Sequence, residues 1–148
     1  MMTEISLNVL DVSENSTRAG ASLVTILVTA DTSADKLTIV IADNGCGMTP
    51  EQAAHVTDPF FTTRTTRKVG LGIPFFKYAA ESTGGSFHIE SEPGKGTTVT
   101  AVFGLSHIDR MPLGDMNATI HNLIVYHPDT DFLYTYTYND ASFTLDTR

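Results

Sequence analysis

Two β-branched runs, SLVTILVTA and KLTIVIA, flank the turn-rich stretch DTSAD. Valine, isoleucine and threonine are stiff at χ1 and pack well on a pleated surface, so the pair predicts an antiparallel hairpin. A hairpin this apolar needs a cover. The preceding segment supplies one: Ile5, Val9, Val12, Ser16 and Ala19 recur at helical spacing. They predict an amphipathic helix over residues 3–19, with Thr3 as N-cap and Gly20 near the C-cap.

The pattern then repeats with variations. DNGCGMTPEQAAHV reads as a glycine turn entering a short helix, with Thr49 as N-cap and Pro50 in its first position. DPFFTTRTTRKVGLG has neither a helical nor a strand period and reads as a loop. IPFFKYAAESTGG predicts a helix closed by Gly84 and Gly85, and SFHIESE and GTTVTAVFG predict two strands joined by PGKG. The fold class is α+β: a two-layer sandwich whose mixed, mostly antiparallel sheet carries helices on one face. From about Leu105 the texture changes. TIHNLIVYH and FLYTYTY predict strands on either side of PDTD, with SFTLDTR as a third. Residues 105–148 are too few for a core of their own, so a C-terminal β extension is expected within the same compact unit as residues 1–104.

Bulk properties exclude several functions. A chain of 148 residues suits one domain, and a formal net charge of −8 argues against a phosphate-backbone binder. Cys46 is the only cysteine, so no intramolecular disulfide forms. The N-terminus lacks the pattern of a secretory signal, and no apolar run reaches the roughly 20 residues that span a bilayer. A cytoplasmic, soluble protein is expected.

Chemistry concentrates in three places. Asp43 directly follows IVIA, where a strand end holds a carboxylate rigidly. Gly45 and Gly47 let backbone approach a flat ligand, and such a carboxylate can accept a hydrogen bond from an exocyclic amine like that of adenine. Gly70 and Gly72, with Leu71 between them, lead into a helix whose first N–H groups favour phosphate. Just upstream, Arg64, Arg67 and Lys68 make up a third of the nine Lys and Arg residues. Finally, Asn8, Asp11, Asn15 and Arg18 form a polar stripe on the first helix, opposite its apolar one. Taken singly, these also read as a turn, a hinge, a charged loop and a solvated helix face.

In order, however, DVSENSTRAGA, DNGCGM, DPFFTT and GLG resemble the N, G1, F and G2 boxes of the GHKL, or Bergerat, ATP-binding superfamily. That family includes DNA gyrase, large heat-shock chaperones, histidine kinases and MutL-type proteins. STGGSFHIESEPGKGTTVTAVF is similar to its two closing strands, and the resemblance covers about residues 1–104. It implies ATP or ADP as ligand with Mg²⁺ as cofactor. Asn15 matches the magnesium ligand, Arg18 a basic phosphate contact, and Asp11 the acidic general base. Asp11 is one methylene shorter than the usual glutamate. Asp43 matches the adenine contact, with Gly45 and Gly47 shaping the pocket and Thr98 near the adenine–Asp43 contact. Phe60 and Phe61 match the anchors of a short ATP lid over residues 62–69, where Arg64 and Lys68 would reach phosphate beside Gly70, Leu71 and Gly72.

Within the superfamily, the lid and closing strands look most like the ATP-binding domain of a sensor histidine kinase. No phosphoacceptor-histidine helix precedes the first box in this sequence, so the expectation is phosphoryl transfer in trans, an ATP-driven switch, or slow hydrolysis. The acid at 11 with the base at 18 is similar to anti-sigma-factor serine kinases. SENSTRAGAS also resembles the MutL box, with Arg18 replacing that motif's aspartate. A protein partner or phosphoacceptor, and a homodimer through the C-terminal strands, are further implied. His55, His88, His107, His121 and His127 show no metal spacing. Cys46 is expected as a small buried residue of the G1 turn, and Tyr134, Tyr136 and Tyr138 as one face of a strand.

Overall fold

The structure, a computed structural model, describes residues 4–58 and 72–148. Helix α1 (Ile5–Arg18) is followed by β1 (Leu23–Asp31), β2 (Lys36–Asp43), α2 (Pro50–Val56) and α3 (Gly72–Glu81). Then come β3 (Ser86–Glu92), β4 (Gly96–Gly104), α4 (Met116–Tyr126), β5 (Asp131–Tyr138) and β6 (Ala141–Asp146). The six strands form one sheet in the order β3-β4-β2-β1-β5-β6. Every neighbouring pair is antiparallel except β1 and β5, which run parallel.

The expected hairpin forms with Val24 opposite Asp43 and Asp31 opposite Lys36. Alternation puts Leu37, Ile39 and Ile41 of β2, and Val99, Ala101 and Phe103 of β4, into the core. The helices cover this face: Ile5, Val9 and Val12 come from α1, and Ile73, Phe76 and Ala80 from α3. Phe76 stands edge-on to Phe87 at 6.2 Å between ring centroids and lies 6.0 Å from Phe103. Each fully buried aromatic or aliphatic side chain of this kind contributes about 1.5–3 kcal/mol.

Thr49 caps α2 as expected, accepting from the Gln52 N–H while Gln52 accepts from the Thr49 N–H. Gly20, at φ +80°, follows the C-cap Ala19 of α1. The N-cap of α1 is Glu4, whose side chain makes no capping bond. Instead the Ile5 and Ser6 N–H groups donate to the carbonyls of Pro112 and Leu113, at 3.0 and 2.8 Å. The segment after β4 therefore caps the first helix. Thr3 lies outside the described residues.

The C-terminal third departs from the expected all-β element. Residues 116–126 are helix α4, not a strand. Asp115 caps it by accepting from the Ala118 N–H, and Met116, Thr119, Ile120 and Leu123 are buried at helical spacing. The β-branched content of TIHNLIVYH suggested a strand, but its apolar positions follow the 3.6 period onto α1. The helix also has a topological task. A parallel partner for β1 requires a crossover connection, and residues 105–130 provide it. Phe132 and Tyr134 of β5 are buried against the core, and His127 Nε2 lies 2.7 Å from Glu14 Oε1 of α1. No described helix is long and apolar enough to cross a membrane.

Candidate functional site

Asp43 ends β2 with its side chain on the helix-facing side of the sheet. Its two carboxylate oxygens are held separately: Oδ2 accepts from the Ser16 hydroxyl at 2.8 Å, and Oδ1 from the Gly45 N–H at 2.8 Å. Each oxygen keeps a lone pair for a further donor. The turn that follows is packed tightly. A Cβ on Gly45 would lie 2.9 Å from the Ala19 carbonyl, and one on Gly47, at φ +70°, 2.0 Å from the Glu92 carbonyl. Gly94 N–H donates to the Cys46 carbonyl at 2.7 Å, and Met48 N–H donates to the Ser91 hydroxyl, which ties this turn to the β3–β4 turn. Cys46 itself is exposed, contrary to expectation: the close packing is made by backbone and leaves its side chain outward.

Strand register puts two neighbouring threonines on opposite faces. Thr98 pairs with Ala42 and points to the opposite face of the sheet from Asp43. Thr97 pairs with Asp43 and shares its face, with its hydroxyl 2.8 Å from that of Ser91. Successive strand residues alternate sides, so in the Thr97–Thr98 pair only the first has its hydroxyl on the carboxylate's side.

The last turns of α1 bring the other candidates to the same end of the molecule. Asn15 Oδ1 accepts from the Arg18 guanidinium. Asp11, one turn earlier, meets the start of α3: a Cβ added to Gly72 would lie 3.1 Å from the Asp11 Cβ. Burial pushes the Asp11 carboxyl above the ordinary aspartate value, opposed by the charge of Arg18 and reinforced by that of Glu14. The structure thus ties Asp43 to α1 through Ser16, packs Gly45 on Ala19 and Gly72 on Asp11, pairs Asn15 with Arg18, and sets Gly47 against the β3–β4 turn. Phe60, Phe61, Arg64, Arg67, Lys68, Gly70 and Leu71 lie outside the described residues. The sequence reading missed Ser16, which it assigned to the apolar stripe, and Asn44. The Asn44 carboxamide accepts from the Ser22 and Leu23 N–H groups and so fixes the start of β1. Their signal was present as polar residues at an apolar position and within a turn.

Residues 1–107 match the family described as histidine kinase-, DNA gyrase B-, and HSP90-like ATPases. The chain belongs to this ATPase family. Among curated relatives it is 39% identical over 70 residues to a putative sensor protein of Shewanella frigidimarina, covering 47% of this chain and 11% of that protein. It is 33% identical over 102 residues to the sensor protein SrrB of Staphylococcus aureus, covering 66% of this chain and 17% of SrrB. The chain therefore spans less than a fifth of these relatives. Among solved structures, the N-terminal domain of a DNA repair protein superposes on 99% of this chain and 53% of its own, with a TM-score of 0.69 and 17% identity. The Aquifex aeolicus MutL ATPase domain complexed with ADP covers 99% and 64%, at a TM-score of 0.56 and 15% identity. The fold is the GHKL fold, and the GHKL domain is an ATP-binding one. The Asp43 carboxylate, the glycine turn and the first helix stand in the geometry described above.

Proposed function

We propose that this GHKL domain binds Mg-ATP between α1 and the G1 turn and transfers its γ-phosphoryl group in trans to a protein partner, or slowly to water. The observation that carries the reading is the carboxylate pair. Asp43 is fixed by Ser16 and Gly45 with acceptor capacity to spare, and Asp11 is half-buried against the start of α3 with a raised proton affinity. A base works best when its proton affinity approaches the operating pH, and burial moves Asp11 that way. Asn15 and Asp11 offer oxygen donors one helical turn apart, the donor type that Mg²⁺ prefers, so the residues present fit that ion. When bound, the metal would neutralise phosphate charge. Asn15 Oδ1 accepts from the Arg18 guanidinium, so Arg18 is held within one turn of Asn15, where it would meet phosphate. By the family resemblance Arg64, Lys68, Gly70 and Leu71 are phosphate-contact candidates, and Thr97, on the face of Asp43, is a candidate for the role first assigned to Thr98. The sensor-protein relatives favour a cytoplasmic signalling context, with a serine-directed kinase as one form of the transfer.

Thermal unfolding with and without Mg-ATP tests the binding step. A saturating nucleotide at 100-fold above Kd stabilises the fold by about 2.7 kcal/mol. Asp43→Ala and Asn15→Ala are each expected to remove the shift. No shift in the unaltered protein at millimolar nucleotide sinks the proposal. Release or transfer of labelled phosphate is expected to be lost in Asp11→Asn, and turnover that survives removes Asp11 as the base.

A second reading rests on β6. It forms one edge of the sheet, and all its residues are exposed, including Phe143 and Leu145. Such an edge can pair with a second copy or a partner, making the domain a nucleotide-switched interaction module. Sedimentation that stays monomeric with and without ATP would exclude the homodimeric form.

A further inference from the structure

The two edges of the sheet are built differently. β3 exposes His88, Glu90 and Glu92 and is followed by Pro93, so a second copy of the same edge is repelled there. β6, at the opposite edge, is exposed along its whole length and has no lysine and no proline. It has no bulge either: its pairing with β5 runs unbroken from Tyr138–Ala141 to Leu133–Asp146. Alternation decides which of its backbone groups are free. The Thr147 N–H donates to the Phe132 carbonyl, so the odd-numbered residues of this segment face β5. Ser142, Thr144 and Asp146 therefore turn their N–H and carbonyl groups outward. Their spacing is self-complementary. With a second β6 laid antiparallel and Thr144 on a two-fold axis, Ser142 faces Asp146 of the second copy and Thr144 faces its own counterpart. Each facing pair exchanges two backbone hydrogen bonds, so no outward group of β6 is left over. A shift of two residues in either direction leaves one outward-facing residue of β6 without a partner in the other β6.

The side chains agree with that register. Phe143 and Leu145, 56% and 37% exposed, share the side of the hairpin that carries Tyr134 and Tyr136. In the symmetric pairing each Phe143 stands opposite Leu145 of the second copy at a non-hydrogen-bonded position, where side chains come closest. Arg148, which pairs with Asp146 of its own chain at 2.8 Å, is brought opposite Asp140 of the second copy. The match of base to acid at both ends of the paired strands offsets the repulsion between two chains that each carry a net charge of −8. We propose that two copies of this chain join through β6 in this register, extending the six-stranded sheet into one continuous sheet with both helix layers on the same face. The proposal rests on the second reading above, that β6 is an interaction edge, and names its occupant.

Cross-linking reads the register. Facing residues at a non-hydrogen-bonded position have Cα atoms about 4.5 Å apart, within the reach of a disulfide. Cys46 is exposed, so the test uses a Cys46→Ser background. Phe143→Cys and Leu145→Cys chains are oxidised separately and as a mixture. The mixture is expected to give a dimer linked from position 143 to position 145, and either chain alone to stay largely unlinked. Efficient linking of either variant to itself reports a shifted register and overturns the assignment. Sedimentation equilibrium of the unaltered chain is expected to show reversible dimers, weakened at least tenfold by Thr144→Lys, which sets like charges together on the axis. Thr144 is exposed, so the melting temperature of the monomer is expected to change little. A monomer at every attainable concentration, or a dimer that Thr144→Lys leaves intact, overturns the proposal. A monomer whose β6 pairs with a different protein also overturns it, while the interaction-edge reading stands. A dimer that forms equally with and without Mg-ATP supports the proposal and removes only the nucleotide switch from that reading.

Discussion

Asp43 and its neighbours show how much a single residue's position depends on its partners. Thr97 and Thr98 are chemically identical and adjacent, yet register alone puts one on the face of the sheet that Asp43 shares and the other on the opposite face. Thr97→Val is therefore expected to weaken ADP binding about fivefold, the worth of one net hydrogen bond of ~1 kcal/mol. Thr98→Val should leave affinity within the error of the titration, and the reverse order would refute the assignment. Asp11 carries a second prediction at this scale. Its folded-state proton affinity is raised, so its contribution to stability is fully present below the ordinary aspartate value and is lost as pH rises through the folded value. Asp11→Asn should thus stabilise the nucleotide-free protein at neutral pH, and the gain should vanish in acid. Denaturant melts at several pH values read this directly.

At the scale of elements, the glycines of the turns separate into those that are crowded and those that are merely bent. Gly47 and Gly84 both have positive φ, at +70° and +77°. A Cβ on Gly84 meets nothing within 4 Å, whereas one on Gly47 would strike the Glu92 carbonyl. Gly84→Ala should cost only the backbone term, about 1–2 kcal/mol, with nucleotide affinity intact. Gly47→Ala adds a collision that drives the G1 turn away from the β3–β4 turn, so it should unfold at lower denaturant and lose nucleotide affinity. Equal behaviour of the two variants would mean that turn packing does not shape the pocket. The elements also explain what could be read in advance. The β1–β2 hairpin and the Thr49-capped helix were legible because their signals are local: β-branched runs, and a capping box with proline at the first turn. Helix α4 was not. Its residues suit a strand by composition, and only its burial on α1, with Asp115 capping its start, selects the helix.

Across the whole molecule, the residues after Gly104 are part of the same core as the ATP-binding boxes. β5 lies parallel to β1, Phe132 is 1% exposed, and the 112–113 backbone caps α1, the helix that carries Asp11, Asn15 and Arg18. Phe132→Ala is expected to destabilise the entire fold by about 3–5 kcal/mol in one cooperative transition. A separate early transition confined to the C-terminal strands would contradict this. What the sequence alone determined was the family-bearing half of the fold: the order of its elements, the carboxylate after IVIA, and the polar face of the first helix. These follow from short-range periodicity and from groups whose chemistry needs fixed spacing along the chain. Only the tertiary structure decided that Ser16 holds Asp43, that Thr97 and not Thr98 shares its face, that Asn8 is buried without a partner, and that α4 carries the chain to a parallel strand. Each depends on contacts between residues far apart in sequence, and hydrophobic burial and strand register are settled only when those segments meet.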